Sequence, residues 1–131
     1  MTERDADSPP AMKDEQGPHP IAGAWREPLR RIVRALVQGD YALSTPIAGV
    51  EQVPTKTAEQ MRDYIAEYGG TLVELPDETW DTSEAQWSGA HWELLVDLWT
   101  AEEGPSDLVL SCTVNETDDG YRFTVDLVYV P

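Results

Sequence analysis

From Trp92 onward apolar residues recur at every second position, and this change of period constrains the fold more than any other feature of the chain. Trp92, Leu94, Val96 and Leu98 alternate with Glu93, Leu95, Asp97 and Trp99. After the loop AEEGPSD, Leu108, Leu110, Cys112 and Val114 alternate with Val109, Ser111, Thr113 and Asn115. A period of two sends successive side chains to opposite faces of a strand, so each run predicts a strand with one buried face. A turn at Asp118-Asp119-Gly120 returns the chain into Tyr121, Phe123, Val125, Leu127 and Tyr129, alternating with Arg122, Thr124, Asp126, Val128 and Val130. Three consecutive antiparallel strands follow.

Upstream the period is helical. Pro28 at a first helical position opens LRRIVRALVQGD, and Gly39 closes it. At 100° per residue Trp25, Leu29, Ile32, Val33 and Leu36 share a stripe, with Arg26, Arg30, Arg31 and Arg34 around its edge and back. A second helix begins with a capping box, Thr57 and Gln60, and ends at Gly69-Gly70. Ala58, Met61, Tyr64, Ile65 and Tyr68 form its buried side. Glu59, Asp63 and Glu67 make a like-charge ladder outside, which the arginines of the first helix are placed to compensate.

The intervening segments lack a clear period. Residues 41–56 read as an irregular connection with a short strand near Val50 to Val53. Thr71 to Leu75 reads as a short strand, and Asp77 to His91 as one or two helical turns carrying Trp87, opened by a capping box of Asp81 and Glu84. The first twenty residues hold five acids and four prolines with no apolar core, so residues 1–23 read as a disordered acidic tail and 24–131 as a single domain. Helices first and a meander last is an α+β order: two helices on one face of three long strands, with one or two short strands added.

The helix ending in the Gly-Asp of LVQGDY, followed by the meander, resembles the cystatin-like roll shared by nuclear-transport-factor-like domains. The resemblance is one of topology from about residue 25; it implies a host fold for enzymes, ligand pockets, dimer modules and toxin-neutralising proteins. The run EEGPSDLVLS and the terminal VYV also look like small uncharacterised bacterial proteins, for which no activity or site residues are implied.

Composition narrows the role. With 25 acidic against 9 basic residues the formal charge is −16, and such a field repels polyanions, which argues against nucleic-acid binding. Thirteen of the sixteen excess negative charges lie beyond residue 69, where Arg122 is the single base. No apolar run approaches the ~20 residues a spanning helix needs. One cysteine and no apolar leader suit a reducing cytoplasm. Cys112 falls on the apolar face of its strand and reads as a packed thiol.

No spacing asks for a cofactor or a metal. Asn115-x-Thr117-x-Asp119-Gly120 with Asp126 imitates a calcium loop, but its flanks are strands and its twelfth position is Asp, so a hairpin turn accounts for it. His19 and His91 have no partners at metal-ligand spacing. With so many acids, carboxylate pairs carry no catalytic signal.

Five tryptophans are more informative. Trp25 and Trp92 fall on core faces, whereas Trp80, Trp87 and Trp99 stand among acids. Trp80, Asp81, Glu84, Trp87, Glu93, Asp97 and Trp99 therefore form a candidate binding patch, with Trp as anchor and carboxylates selecting a basic protein. This predicts a cytoplasmic, non-enzymatic protein-binding domain, concretely an immunity protein neutralising a basic toxin. The alternative is a small-molecule-binding or enzymatic roll with a pocket between helices and sheet lined by Tyr41, Tyr64, His91 and Trp92. A homodimer through Leu95, Val109, Val128 and Val130 is a third reading.

Overall fold

The computed structural model describes residues 9–131. Two helices, α1 (Gly23–Val37) and α2 (Thr55–Tyr68), precede most of a five-stranded antiparallel sheet. Its strands are β1 (His19–Pro20), β2 (Glu84–Trp87), β3 (Trp92–Thr100), β4 (Gly104–Thr117) and β5 (Gly120–Tyr129), paired in chain order. The α+β class and the three long strands are as the alternation predicts. One apolar core joins the helices to the sheet, with Leu29, Ile32 and Val33 of α1 and Met61 of α2 buried together with Leu94, Leu98, Leu108 and Leu110.

α1 starts a turn and a half before Pro28, which lies inside it. The Gly23 N–H donates to the Pro9 carbonyl at 2.9 Å, so the upstream segment supplies the start that proline was expected to supply. Pro28 removes the donor that would reach Ala24, which is exposed and left to water. The C-terminal end is as predicted. Gly39, at φ 86°, donates to Leu36, while Asp40 donates to Ala35 at 2.9 Å. These two bonds satisfy terminal carbonyls of α1, and the left-handed backbone between them suits glycine. Asp40 then turns the chain: its carboxylate accepts from the Ser44 hydroxyl and N–H and from the Thr45 N–H, which hold it below its ordinary pKa.

α2 begins at Thr55 after Pro54, with no side-chain cap bond, so the expected Thr57 and Gln60 box does not form. Its stop at Gly69 is observed, with φ 87°. Ala58, Met61 and Ile65 are buried, but Tyr64 is exposed and Tyr68 half-buried. The arginines of α1 also answer different acids from those expected. Arg30 pairs with Asp77 and Arg34 with Glu74, both in the connector, while Asp63 of the ladder is met by Arg62.

The connector departs most from expectation. Asp77–Asp81 is a 3-10 turn, and Glu84–Trp87 is strand β2, not helix. Together they close the outer edge of β3. Residues 92–95 pair with β2; the Asp97 N–H donates to Ser83 Oγ at 2.9 Å, and the Asp97 carbonyl accepts from Thr79 Oγ1 at 2.5 Å. Further along, Val73 donates to the Trp99 carbonyl and Ala101 to the Thr71 carbonyl. The expected strand at Thr71 to Leu75 is thus reduced to a bridge between Leu72 and Thr100. Similarly, the strand expected near Val50 is a single bridge to Phe123, which covers part of the β5 edge.

Two further expectations are corrected. The segment preceding residue 24 is not all tail: Ile21 is fully buried, β1 pairs with β2, and the Trp92 indole N–H donates to the Met12 carbonyl at 3.0 Å. Few local apolar residues announce this packing, because the surface being covered belongs to a strand seventy residues away. Residues 1–8, the rest of the expected tail, lie outside the described residues. In β5 a register shift beside Ser111 and Cys112 leaves Asp126 as an extra residue and reverses the alternation. Val128, expected outside, is fully buried opposite Leu110, whereas Leu127 and Tyr129 are half-buried.

Candidate functional site

The register of β2 and β3 sorts the predicted patch. Glu84 lies directly across from Leu95, and Glu93, Asp97 and Trp99 share that face, since Trp92, Leu94, Val96 and Leu98 between them are buried against the helices. Glu84, Glu93, Asp97 and Trp99 therefore do come together, around an exposed Leu95, on the sheet face that carries no helix. β2, β3 and β4 contain no lysine or arginine at all. Asp97 is held in place by Thr82, whose hydroxyl donates to it at 2.5 Å.

The remaining predicted anchors are elsewhere. Trp80 is 5 % exposed and lies under Arg26 and Arg30, whose guanidinium carbons are 5.4 and 5.5 Å from its ring centroid. Cation–π contact explains why an acid-flanked tryptophan turned inward: two cations of α1 recruit it. Burial lowers the Arg26 pKa, and neighbouring Arg30 adds to this. Asp81 is exposed at the end of the 3-10 turn. Trp87 points to the helix side, 4.7 Å from Trp92 between centroids, with Lys13 5.4 Å above it. Trp80 and Trp87 are accordingly structural, and the patch is smaller than predicted.

Residues missed by sequence reasoning complete the face. Ser111 and Tyr129 line a shallow depression of about 250 Å³ with Glu84, Glu93 and Leu95. Ser111 was assigned correctly to the outer side of β4, but simple alternation put Tyr129 on the core side, and only the register shift moves it. No residue type in β5 signals that shift.

The alternative pocket does not assemble. Trp92 is buried in an aromatic cluster with Trp25, Trp87 and Tyr121, at centroid distances of 5.0, 4.7 and 5.9 Å. Tyr41 lines a groove between α1 and α2, Tyr64 a different one between α2 and β5, and His91 sits in the β2–β3 turn, 3.3 Å from Glu93. The four residues do not share a cavity because aromatic rings fill the layer where they were expected to meet. The dimer surface also shrinks: Val109 and Val128 are buried, leaving Leu95 and Val130 exposed. The Asp118-Asp119-Gly120 segment is the β4–β5 turn, and Asp126 accepts from Thr113 Oγ1 at 2.7 Å across the sheet. No helix among the described residues is long and apolar enough to cross a membrane.

Cys112 is fully buried on the core face, and desolvation, with the charge of Asp126, pushes its thiol up to about 12. The thiolate is the reactive form, so the native protein should resist iodoacetamide at pH 8 and react promptly once unfolded in guanidinium. Equal rates in both states would show that the thiol is not packed. Because the folded thiol keeps its proton above its unfolded value of 9.0, folding stability should fall as pH rises from about 9 towards 12.

Fold and surface together define an α+β domain with helices on one sheet face and, on the other, an acidic surface to which β2, β3 and β4 contribute no lysine or arginine. The chain belongs to the family described as a domain of unknown function, DUF7668, whose model matches residues 33–131. No curated protein and no solved structure matches it, and the resemblance to the cystatin-like roll is not confirmed. The family match begins within α1, leaving Ile21, Trp25 and Leu29 of the core outside it.

Proposed function

We propose that this is a non-enzymatic protein-binding domain whose open sheet face docks a basic protein, in its most concrete form an immunity protein that neutralises a cationic toxin in the cytoplasm. The observation that supports this reading is the grouping of Glu84, Glu93 and Asp97 around Leu95 and the half-buried Trp99 on an uncovered face. An apolar centre ringed by like charges is the anatomy of a partner-selective interface, in which the centre provides affinity and the rim provides steering.

The test is association with the product of the neighbouring gene, measured by calorimetry and stopped-flow at low and high salt. A complex should form at low salt, and Glu84→Lys with Glu93→Lys should slow association by about tenfold, since reversed rim charges act on the encounter rate. Absence of a complex at low salt, or a complex indifferent to both reversals, would overturn the proposal.

A further inference from the structure

A groove on the described surface is a second feature, distinct from the sheet face, and its chemistry is unusual for this chain. It runs between α2 and the C-terminal part of β5, with a volume of about 490 Å³. Three of the chain's five tyrosines, Tyr64, Tyr68 and Tyr129, line it over a floor of Leu108 and Leu127, and Glu67 is the charged residue in its wall. Tyr64 and Glu67 are exposed, so both are available to a ligand.

Charge surrounds the Tyr68 end. The Tyr68 hydroxyl donates to Glu103 at 2.5 Å and accepts from the Asp107 N–H at 3.0 Å, which brings two more carboxylate residues to that end of the groove. The Asp107 N–H favours the phenolate, but the Glu103 hydrogen bond, desolvation and the charges of Glu103 and Asp107 together outweigh it and raise the phenol's pKa, so it remains a donor at neutral pH. No lysine or arginine lines the groove.

Tyrosine faces, an aliphatic floor and a carboxylate in the wall together suit one kind of group: a planar cation on an apolar stem. An arginine side chain lays its methylenes on apolar surface, stacks its guanidinium on an aromatic ring and pairs in bidentate fashion with a carboxylate. Lysine matches the charge but neither the stacking nor the fork. Tyr129 also lines the depression on the open sheet face, so groove and face adjoin at one residue.

We infer that the α2–β5 groove is an arginine slot, occupied by an arginine-bearing segment of the same basic partner that the sheet face docks. The identity of the occupant rests on the proposed function; the chemistry of the slot does not, and the two can be tested apart.

The probe is the blocked peptide acetyl-Gly-Leu-Arg-Leu-Gly-amide, titrated into the intact protein and followed by NMR at the Tyr64, Leu127 and Val130 signals. Saturable shifts at those signals are expected, with the citrulline analogue at least about fivefold weaker, since it keeps the shape and loses the charge. Tyr64→Ala and Glu67→Gln, both at exposed positions, should each weaken binding comparably, while Glu93→Lys should leave it within about twofold. Equal binding of arginine and citrulline peptides, shifts that map elsewhere, or no saturable shift at millimolar peptide would overturn the slot. A slot that binds the peptide in a protein that ignores its neighbouring gene product would leave the groove's chemistry standing and remove the partner. The reverse result would do the opposite.

Discussion

Replacing Trp92 with alanine is expected to cost about 3–5 kcal/mol of folding stability, the largest effect of any single substitution considered for this domain. The side chain is 1 % exposed and is the hub of an aromatic cluster, touching Trp25 of α1, Trp87 of β2 and Tyr121 of β5. Removing it opens a cavity where helix, central strand and edge strand converge, and no single neighbour can fill it without losing contacts of its own. It also removes the donor that holds the Met12 carbonyl. Trp92→Phe keeps a ring and loses that donor, so it should cost less. Urea unfolding followed by circular dichroism checks both. A midpoint for Trp92→Ala indistinguishable from that of the parent protein would show that the cluster is not the centre of the core.

Removal of residues 1–22 is expected to be at least as damaging. Such a chain would lack the fully buried Ile21, strand β1, the Pro9 carbonyl that accepts from the start of α1, and the Lys13 ammonium that lies over Trp87. Ile21→Ala alone should cost about 2–5 kcal/mol, and typical domains have only about 5–15 kcal/mol to lose. The truncated chain should melt well below the full one in a thermal scan and be cut rapidly by protease. If it melts at the parental temperature, the N-terminal segment is an ornament on the surface and the domain boundary belongs near residue 23 after all.

The long strands were legible because each has one buried face, so that Leu94, Val96 and Leu98, and again Leu108, Leu110 and Cys112, recur with a period no helix could use. The helix ends at Gly39 and Gly69 were legible for a local reason too, since a left-handed residue favours glycine. What could not be read depends on partners distant in the chain. β2 is four residues long, and Glu-Ala-Gln-Trp takes its extended form from pairing with β3. Trp80 looks like a surface anchor until Arg26 and Arg30, some fifty residues earlier, are placed over it. The candidate site divides in the same way. Glu93, Asp97 and Trp99 followed from alternation within one strand, and Glu84 joined them through pairing. Tyr129 was missed because the bulge at Asp126 inverts the final turn of β5.

The order of elements along the chain has a consequence for biosynthesis. α1 precedes four of the five strands of the sheet it packs on, and Trp25 meets Trp92 of β3 and Tyr121 of β5. A ribosome therefore delivers the apolar stripe of α1 long before the strands that shelter it. During that interval Trp25, Leu29 and Ile32 face solvent or a chaperone, whereas the β3–β4–β5 meander, built from neighbouring segments, can pair as soon as it emerges. Folding of this domain should accordingly be gated by the appearance of its last strand, with the N-terminal segment closing over a sheet that is already formed.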